Sequence, residues 1–296
     1  MLPTHGRYGY VGWGERARWA WPGGARLAVY LGVNLEHFAF GEGLGAELAP
    51  GGPQPDVLNF AWRDYGNRVG AWRLIELLDE LSLPCTVLLN SAMYDYAPSL
   101  VAAHRARGDE IAGHGRTNSE RQSVMGEDAE RRLIEESTAA ILRHEGVAPM
   151  GWLSPWIAES AATPDLLAET GYRYTLNWCS DDQPVWHAVR GGGRLLAVPY
   201  PQEVNDIPSV VARKDSVAQF CDMIVDDFDE RLRQVRDGVA QVMGIALHPY
   251  IIGQPYRLRA LRRALSHIAA RRDVVWVCRA ADVYRHVAAL PEGSVA

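Results

Sequence analysis

The chain of 296 residues reads as an α/β protein, a β/α barrel of seven or eight strand–helix units. Three observations carry that reading. Short apolar runs alternate with amphipathic stretches along most of the sequence, which implies parallel strands joined by helical crossovers. Three of the apolar runs end in polar stretches: Asn34-Leu35-Glu36, His114-Gly115-Arg116-Thr117-Asn118 and His248-Pro249-Tyr250. Ionisable residues at strand ends are how barrel enzymes assemble an active site. Finally, no G-x-G-x-x-G fingerprint separates a strand from a helix, which weakens the alternative of an open dinucleotide-binding sheet.

Trp21-Pro22-Gly23-Gly24 is a turn signal, so residues 1–25 are expected to form an N-terminal arm and residues 26–296 a single barrel domain. The first strand is Leu27 to Val33, followed by a Gly- and Pro-rich loop over residues 41–55. Val69, Trp72, Ile75 and Leu78 give Asn67 to Leu81 the period of a helix, which Pro84 stops. Cys85 to Leu89 is the next strand, Ser99 to Arg107 a helix, and Glu110 to Gly113 the strand that feeds His114. A long helix follows from Glu127 to Glu145, then a strand near Met150 to Leu153. Thr163 as N-cap with Pro164 behind it opens a short helix. Strands are expected near Tyr172 to Leu176 and Arg194 to Val198, and a helix from Ser216 to Arg236. The Val242 to Leu247 strand, a helix from Tyr256 to Arg271 and a strand at Val274 to Cys278 complete the series.

Composition narrows the function. A net charge of −6 argues against a nucleic-acid partner, whose footprint is a basic face. Lys214 is the only lysine and lies in a polar, loop-like stretch, so Schiff-base chemistry is not expected. Cys85, Cys179, Cys221 and Cys278 are far apart and form no Cys-x-x-Cys pair, which fits reduced thiols. No run approaches the roughly 20 apolar residues that cross a bilayer, and the N-terminus lacks a signal-peptide core. The expectation is a cytoplasmic protein without membrane contact, its Arg- and Trp-rich arm packed on a neighbouring subunit of a homo-oligomer or over the barrel bottom of its own chain.

The order of motifs resembles the polysaccharide deacetylase (NodB-homology) superfamily: Glu36 after strand one, His114 between glycines, Ser154-Pro155-Trp156 after a middle strand, and Leu247-His248-Pro249 near the end. The fuller set is most similar to the branch that contains the allantoinase and related cyclic-amide hydrolases. That set comprises Trp21-Pro-Gly-Gly-Ala-Arg, Asn34-x-Glu36, Ser180-Asp181-Asp182-x-Pro184, Pro199-Tyr200-x4-Asn205-Asp206-Ile207 and His248 to Pro255. The resemblance implies a distorted β/α barrel and hydrolysis of amide C–N bonds. Metal-dependent members carry an aspartate pair after strand one and a His-x3-His pair. Here those positions hold Asn34 and Glu36, then His114 and Asn118. Neutral amides are poor zinc ligands, so no metal cofactor is assigned. If a divalent ion such as zinc binds, Glu36 and His114 are its expected ligands, with His37 or an aspartate third.

Amide hydrolysis without a metal needs a base, an acid and oxyanion donors. Glu36, His114 and His248 are the catalytic candidates. Glu36 is the expected base, on condition that burial raises its pKa toward neutrality, and His248 the acid, with the exchange of roles left open. Asn34, Arg116, Asn118, Trp156, Asp181, Asp182, Asn205, Asp206 and Tyr250 are expected to bind substrate or orient the catalytic groups. An Arg fork at Arg116 suits planar, oxygen-rich groups, although a surface ion pair is the equal alternative. The preferred substrate is a small cyclic or linear amide such as a ureide or imide. N-acetyl-sugar deacetylation is the first alternative, and an inactive carbohydrate- or amide-binding protein the second.

Overall fold

The computed structural model describes residues 4–41, 44–235 and 239–296. Glu42 and Gly43 of the expected loop, and the expected helix end at Arg236, lie outside the described residues. In chain order the regular elements are β1 (Leu27–Leu35), α1 (Val57–Tyr65), α2 (Ala71–Glu80), β2 (Thr86–Leu89), α3 (Met93–Tyr96), α4 (Pro98–Arg107), β3 (Glu110–Gly113), α5 (Glu127–Glu145), β4 (Gly151–Trp152) and α6 (Thr163–Thr170). There follow β5 (Tyr174–Thr175), β6 (Val185–Ala188), β7 (Arg194–Ala197), α7 (Val217–Gln234), β8 (Gln241–Leu247), α8 (Pro249–Ile252), α9 (Pro255–Ala269), β9 (Trp276–Cys278) and α10 (Ala280–Ala288).

The strands form one sheet in the order β6-β7-β5-β4-β3-β2-β1-β8, with β9 also paired to β1. Every ladder is parallel except β6 with β7. β1 is the pivot: Leu27 to Val33 pair with β8 along one edge, while the other edge meets β9 at Ala28–Tyr30 and β2 at Gly32–Leu35. The ladder does not close between β7 and β8. That gap is bridged by the chain that leaves β7, where Ala246 N–H donates to Val204 O at 3.1 Å and Asn205 pairs in parallel with Ala246. The architecture is thus the α/β barrel-like sheet with helical crossovers, distorted at its seam.

Alternation along β1 divides the core in two. Leu27, Val29, Leu31, Val33 and Leu35 face outward onto the helices, with Leu74, Leu77 and Leu78 of α2, Phe220, Ile224 and Phe228 of α7, and Leu261, Leu265 and Ile268 of α9. Those helical positions recur at the spacing that puts one apolar face on the sheet. Ala28 and Tyr30 face inward instead, against Leu88, Tyr174, Leu196, Val198 and Tyr200. Continued by two residues at a time, that inward series runs on to Asn34.

Several expectations shift. The helix expected from Asn67 starts at Val57, capped by the Asp56 carboxylate on Asn59 N–H, and runs through a π-helical turn at Gly66–Gly70 into α2. Gly66 and Gly70, at the two ends of this turn, lie so close to the chain around Tyr250 that only glycine fits: a Cβ would come within 2.6 Å of Tyr250 N at Gly66 and 2.2 Å of Pro249 O at Gly70. Thr163 is the first helical residue of α6 rather than its N-cap, with its hydroxyl committed to Glu130 on α5. β6 and α10 were absent from the sequence reading; β6 is a short antiparallel edge whose pattern Val-Trp-His-Ala carries little strand signal. From the arm, Trp21 packs on Trp276 and His286 and donates its indole N–H to Gln241 O at 2.9 Å, at the N-terminal end of β8. No described helix is long and apolar enough to cross a membrane.

Candidate active site

The C-terminal ends of the strands carry Glu36 after β1, His114 after β3, Ser154 after β4, Asn205 after β7 and His248 after β8. All of them line one cavity of about 220 Å³, together with Asn34, Asn118 and Tyr200. Trp156, Ile157, Ile207 and Pro208 give its apolar wall. Glu36, His114 and His248 are buried.

Glu36 stands between two imidazoles. Its Oε1 is 3.5 Å from His114 Nε2 and 3.7 Å from His248 Nε2. His114 Nδ1–H donates to Leu153 O at 2.7 Å, which fixes the tautomer and turns the Nε2 lone pair toward Glu36. His248 is backed by Asp206, which accepts from His248 Nδ1 at 2.6 Å and from the His248 backbone N–H at 2.8 Å. Burial works against charge on His248, but the Asp206 and Glu36 carboxylates outweigh it and raise its pKa above the ordinary imidazole value.

Four buried polar atoms in this neighbourhood have no hydrogen-bond partner: Glu36 Oε2, His114 Nε2, Asn118 Oδ1 and Tyr250 Oη. Such groups are costly unless something satisfies them, so their convergence marks a place built for a ligand. The Tyr250 ring lies edge-on to Trp62, Phe38 and His248, and burial with the nearby Glu36 and Asp206 carboxylates pushes its phenol well above the usual range. It therefore remains a donor. Asn34 is less free, its Nδ2 donating to Tyr200 Oη at 2.9 Å and to Leu247 O at 3.3 Å. Trp156 donates its indole N–H to Asn118 O at 2.8 Å from a left-handed backbone (φ 62°), and Ile157 beside it has φ 53°. Two successive non-glycine residues in that region are strained, a feature that clusters at functional sites.

Three sequence candidates lie elsewhere. Arg116 points outward and pairs with Glu120 and Glu136, its side chain half exposed, because the turn after His114 carries it away from the cavity. Asp181 pairs with Arg16 of the arm, and Asp182 with Arg231 of α7. Asp182 O accepts from Val242 N–H, which places this pair beside the beginning of β8, at the opposite end of that strand from His248. His37 turns its ring onto Tyr96 and does not line the cavity.

Zinc bonded at about 2.0–2.2 Å draws its ligand atoms to roughly 3.5 Å of one another. Among the described residues, the only His, Cys, Asp and Glu group whose ligand atoms all lie within 4.8 Å is Cys85, His104 and Asp109. Glu36 Oε1 stands 3.5 and 3.7 Å from the two imidazole Nε2 atoms, but the three ligand atoms do not all lie within 4.8 Å of one another, and Asn118 adds only an amide oxygen. As they stand, Glu36 and the two imidazoles are not drawn together to the spacing of a three-ligand zinc site. Nor does the Cys85 group form one: Asp109 Oδ2 already accepts from His104 Nδ1 and Arg107 Nε, each at 2.8 Å, and burial and Asp109 push the Cys85 thiol well up.

Asn67 and Asn90 escaped the sequence reading. Asn67 Nδ2 donates to Glu36 O at 2.8 Å, while Asn90 accepts from His37 N–H at 2.9 Å and donates to His114 O. Asn90 ends the apolar run of β2, the same signal that singled out Asn34, His114 and His248.

No family model matches the chain. A Schizosaccharomyces pombe protein assigned as a polysaccharide deacetylase is 27% identical, over 87% of this chain and 88% of its own length. Among solved structures, the Puue allantoinase superposes with a TM-score of 0.81 at 26% identity, covering 90% of this chain and 91% of that one. A probable polysaccharide deacetylase from Pseudomonas aeruginosa PAO1 gives 0.80 at 27% identity, covering 90% and 92%. With this fold and these relatives, the chain is a hydrolase of carbon–nitrogen bonds other than peptide bonds. The chain is similar throughout to members of the polysaccharide deacetylase (NodB-homology) superfamily, the allantoinase among them.

Proposed function

We propose that the cavity hydrolyses an amide bond of a small ureide or imide by general acid–base catalysis. The observation that carries this reading is the position of Glu36 Oε1 between His114 Nε2 and His248 Nε2, at 3.5 and 3.7 Å. Glu36 takes a proton from a water held beside it, and the oxygen adds to the substrate carbonyl. The Asn118 amide at the cavity edge supplies a donor to the oxyanion. His248, charged through Asp206, gives its proton to the leaving nitrogen. Transfer of the proton from Glu36 back to His248 then restores both groups, so the cycle balances. His114, with Nδ1–H held by Leu153 O, accepts from the water or from a substrate N–H.

The small cavity and its unpaired acceptors, His114 Nε2 and Asn118 Oδ1, favour a compact substrate rich in N–H groups over a polymer. The deacetylase assignment of two of the relatives supports the second reading, an N-acetyl sugar. Hydrolysis assays on allantoin, cyclic imides and N-acetylglucosamine oligomers, with and without chelator, separate the two. Ring opening of a ureide or imide that survives chelation is the expected result. Chelator-sensitive release of acetate alone would replace it with the second reading, and inertness toward all of them would overturn both.

A further inference from the structure

One peptide group carries the working carboxylate, and it is held at both ends. Its carbonyl, Glu36 O, accepts from Asn67 Nδ2 at 2.8 Å, and its N–H, on His37, donates to Asn90 Oδ1 at 2.9 Å. The other end of the Asn90 amide donates to His114 O. Asn90 is fully buried, Asn67 nearly so, and neither lines the cavity. Their carriers differ: Asn67 sits in the π-helical turn before α2, and Asn90 follows β2, the strand between β1 and β3. The backbone at Asn90 is itself pinned, its N–H donating to Leu35 O at 3.1 Å.

We propose that Asn67 and Asn90 are positioning residues that clamp the Glu36–His37 peptide and set the separation of Glu36 from His114. The inference rests on Glu36 and His114 being the working pair. A carboxamide suits the Asn90 position because one short planar group must accept from one strand end and donate to the next. Aspartate lacks the donor, leucine lacks both functions, and glutamine is a methylene too long. The buried backbone groups at Glu36, His37 and His114 would otherwise lose their partners.

The test uses full-length protein with 15N-labelled histidine, the His114 ring signals being assigned by their loss in His114→Gln. Asn90→Ala and Asn67→Ala are compared with Asn59→Ala, a buried asparagine that holds only Leu48, Ala49 and Asp56. The His114 ring signals should move in Asn90→Ala and stay in place in Asn59→Ala. On whichever amide the enzyme opens, kcat in both clamp variants should fall by about 10- to 100-fold with KM nearly constant, as expected for a displacement of the order of 1 Å. Should Asn90→Ala fail to fold, Asn90→Asp keeps the acceptor for His37 and removes the donor to His114, and should still move the ring signals. Unmoved His114 signals in the Asn90 variants, or equal movement in Asn59→Ala, would overturn the clamp. The ring signals need no substrate, so an error in the proposed reaction leaves this test standing.

Discussion

At the N-terminal ends of β2 and β3, Asp109 accepts from Cys85 N–H, His104 and Arg107, and Glu110 accepts from Tyr174, Thr86 and Ala281 N–H. At the C-terminal ends of the same sheet, Glu36, His114, Asn118 and Tyr250 each keep a buried polar atom without a partner. Both ends bury a histidine and a carboxylate. At the first end His104 Nε2 is the one unpaired atom of the His104, Arg107, Asp109 and Glu110 side chains. There every other polar atom of the four side chains is paired, and the residues tie helix, strands and loop together. At the second end the protein bears the cost of unmet polar groups that only a ligand or water can satisfy. Satisfaction, rather than residue type, separates the structural end from the proposed reactive one.

The largest effect should come from Glu36→Gln, which keeps the shape and removes the proposed base. Turnover is expected to fall about 1,000-fold on any amide the enzyme opens, the size of a general-base contribution. Thermal stability should hold or rise, since the change removes a buried charge rather than a structural bond. Activity within a few-fold of the unmodified protein would break the contrast, because Glu36 would then be as structural as Glu110.

Asp206→Asn probes the same end through the proposed acid, His248. The pKa of His248 is raised despite burial because Asp206 and Glu36 hold the imidazolium. An acid works only while protonated, so activity is lost as pH rises through that raised value. Removing the Asp206 charge lowers the value, and the alkaline limb of the pH–rate profile should move to lower pH, with a kcat loss on the order of 100-fold. An unmoved limb would assign the acid to another group.

Asp109→Asn tests the opposite end and should read out in stability alone. Its side chain is 1% exposed, and leaving His104 and Arg107 without their carboxylate should cost about 2–4 kcal/mol in denaturant unfolding. Burial works against the charge, yet the bonds from His104 and Arg107 hold the Asp109 carboxyl below its ordinary value. A depressed carboxylate contributes its stability above the ordinary range and loses it as pH falls through the lowered value. The gap between variant and parent should therefore narrow on acidification, while kcat stays within twofold. A large loss of turnover at full stability would contradict the division.

The strand ends were legible because apolar runs stop abruptly in polar residues, and period-two alternation places Asn34 on the inner face. Glu36, His114 and His248 needed nothing more. The seam at β8 and the π-helical turn were not legible, because both depend on close backbone contacts such as Gly66 against Tyr250. Asp181 and Asp182 misled for a related reason. They follow β5 in sequence, but the loop carries them to the seam beside the beginning of β8, where Arg16 and Arg231 take them up. Distance along the sequence from a strand end says little once the chain has turned. Asn90 was legible in principle, since it ends an apolar run as His248 does, but a neutral amide carries no ionisable signal.

The smallest expected effect belongs to Arg116→Ala, and it sharpens the contrast because Arg116 lies two residues from His114. Its guanidinium is committed to Glu120 and Glu136 at the surface, with 48% of the side chain exposed. Exposed ion pairs contribute about 0–1 kcal/mol, so stability should fall by less than that and kcat/KM should stay within threefold. A substrate carbonyl held by Arg116 would instead show as a KM increase of about 10-fold or more, the worth of a charge-assisted hydrogen bond. That outcome would require the turn after His114 to swing inward on binding, and would extend the reactive end beyond the cavity described. An unchanged KM confines it to Glu36, the two imidazoles and the groups that hold them.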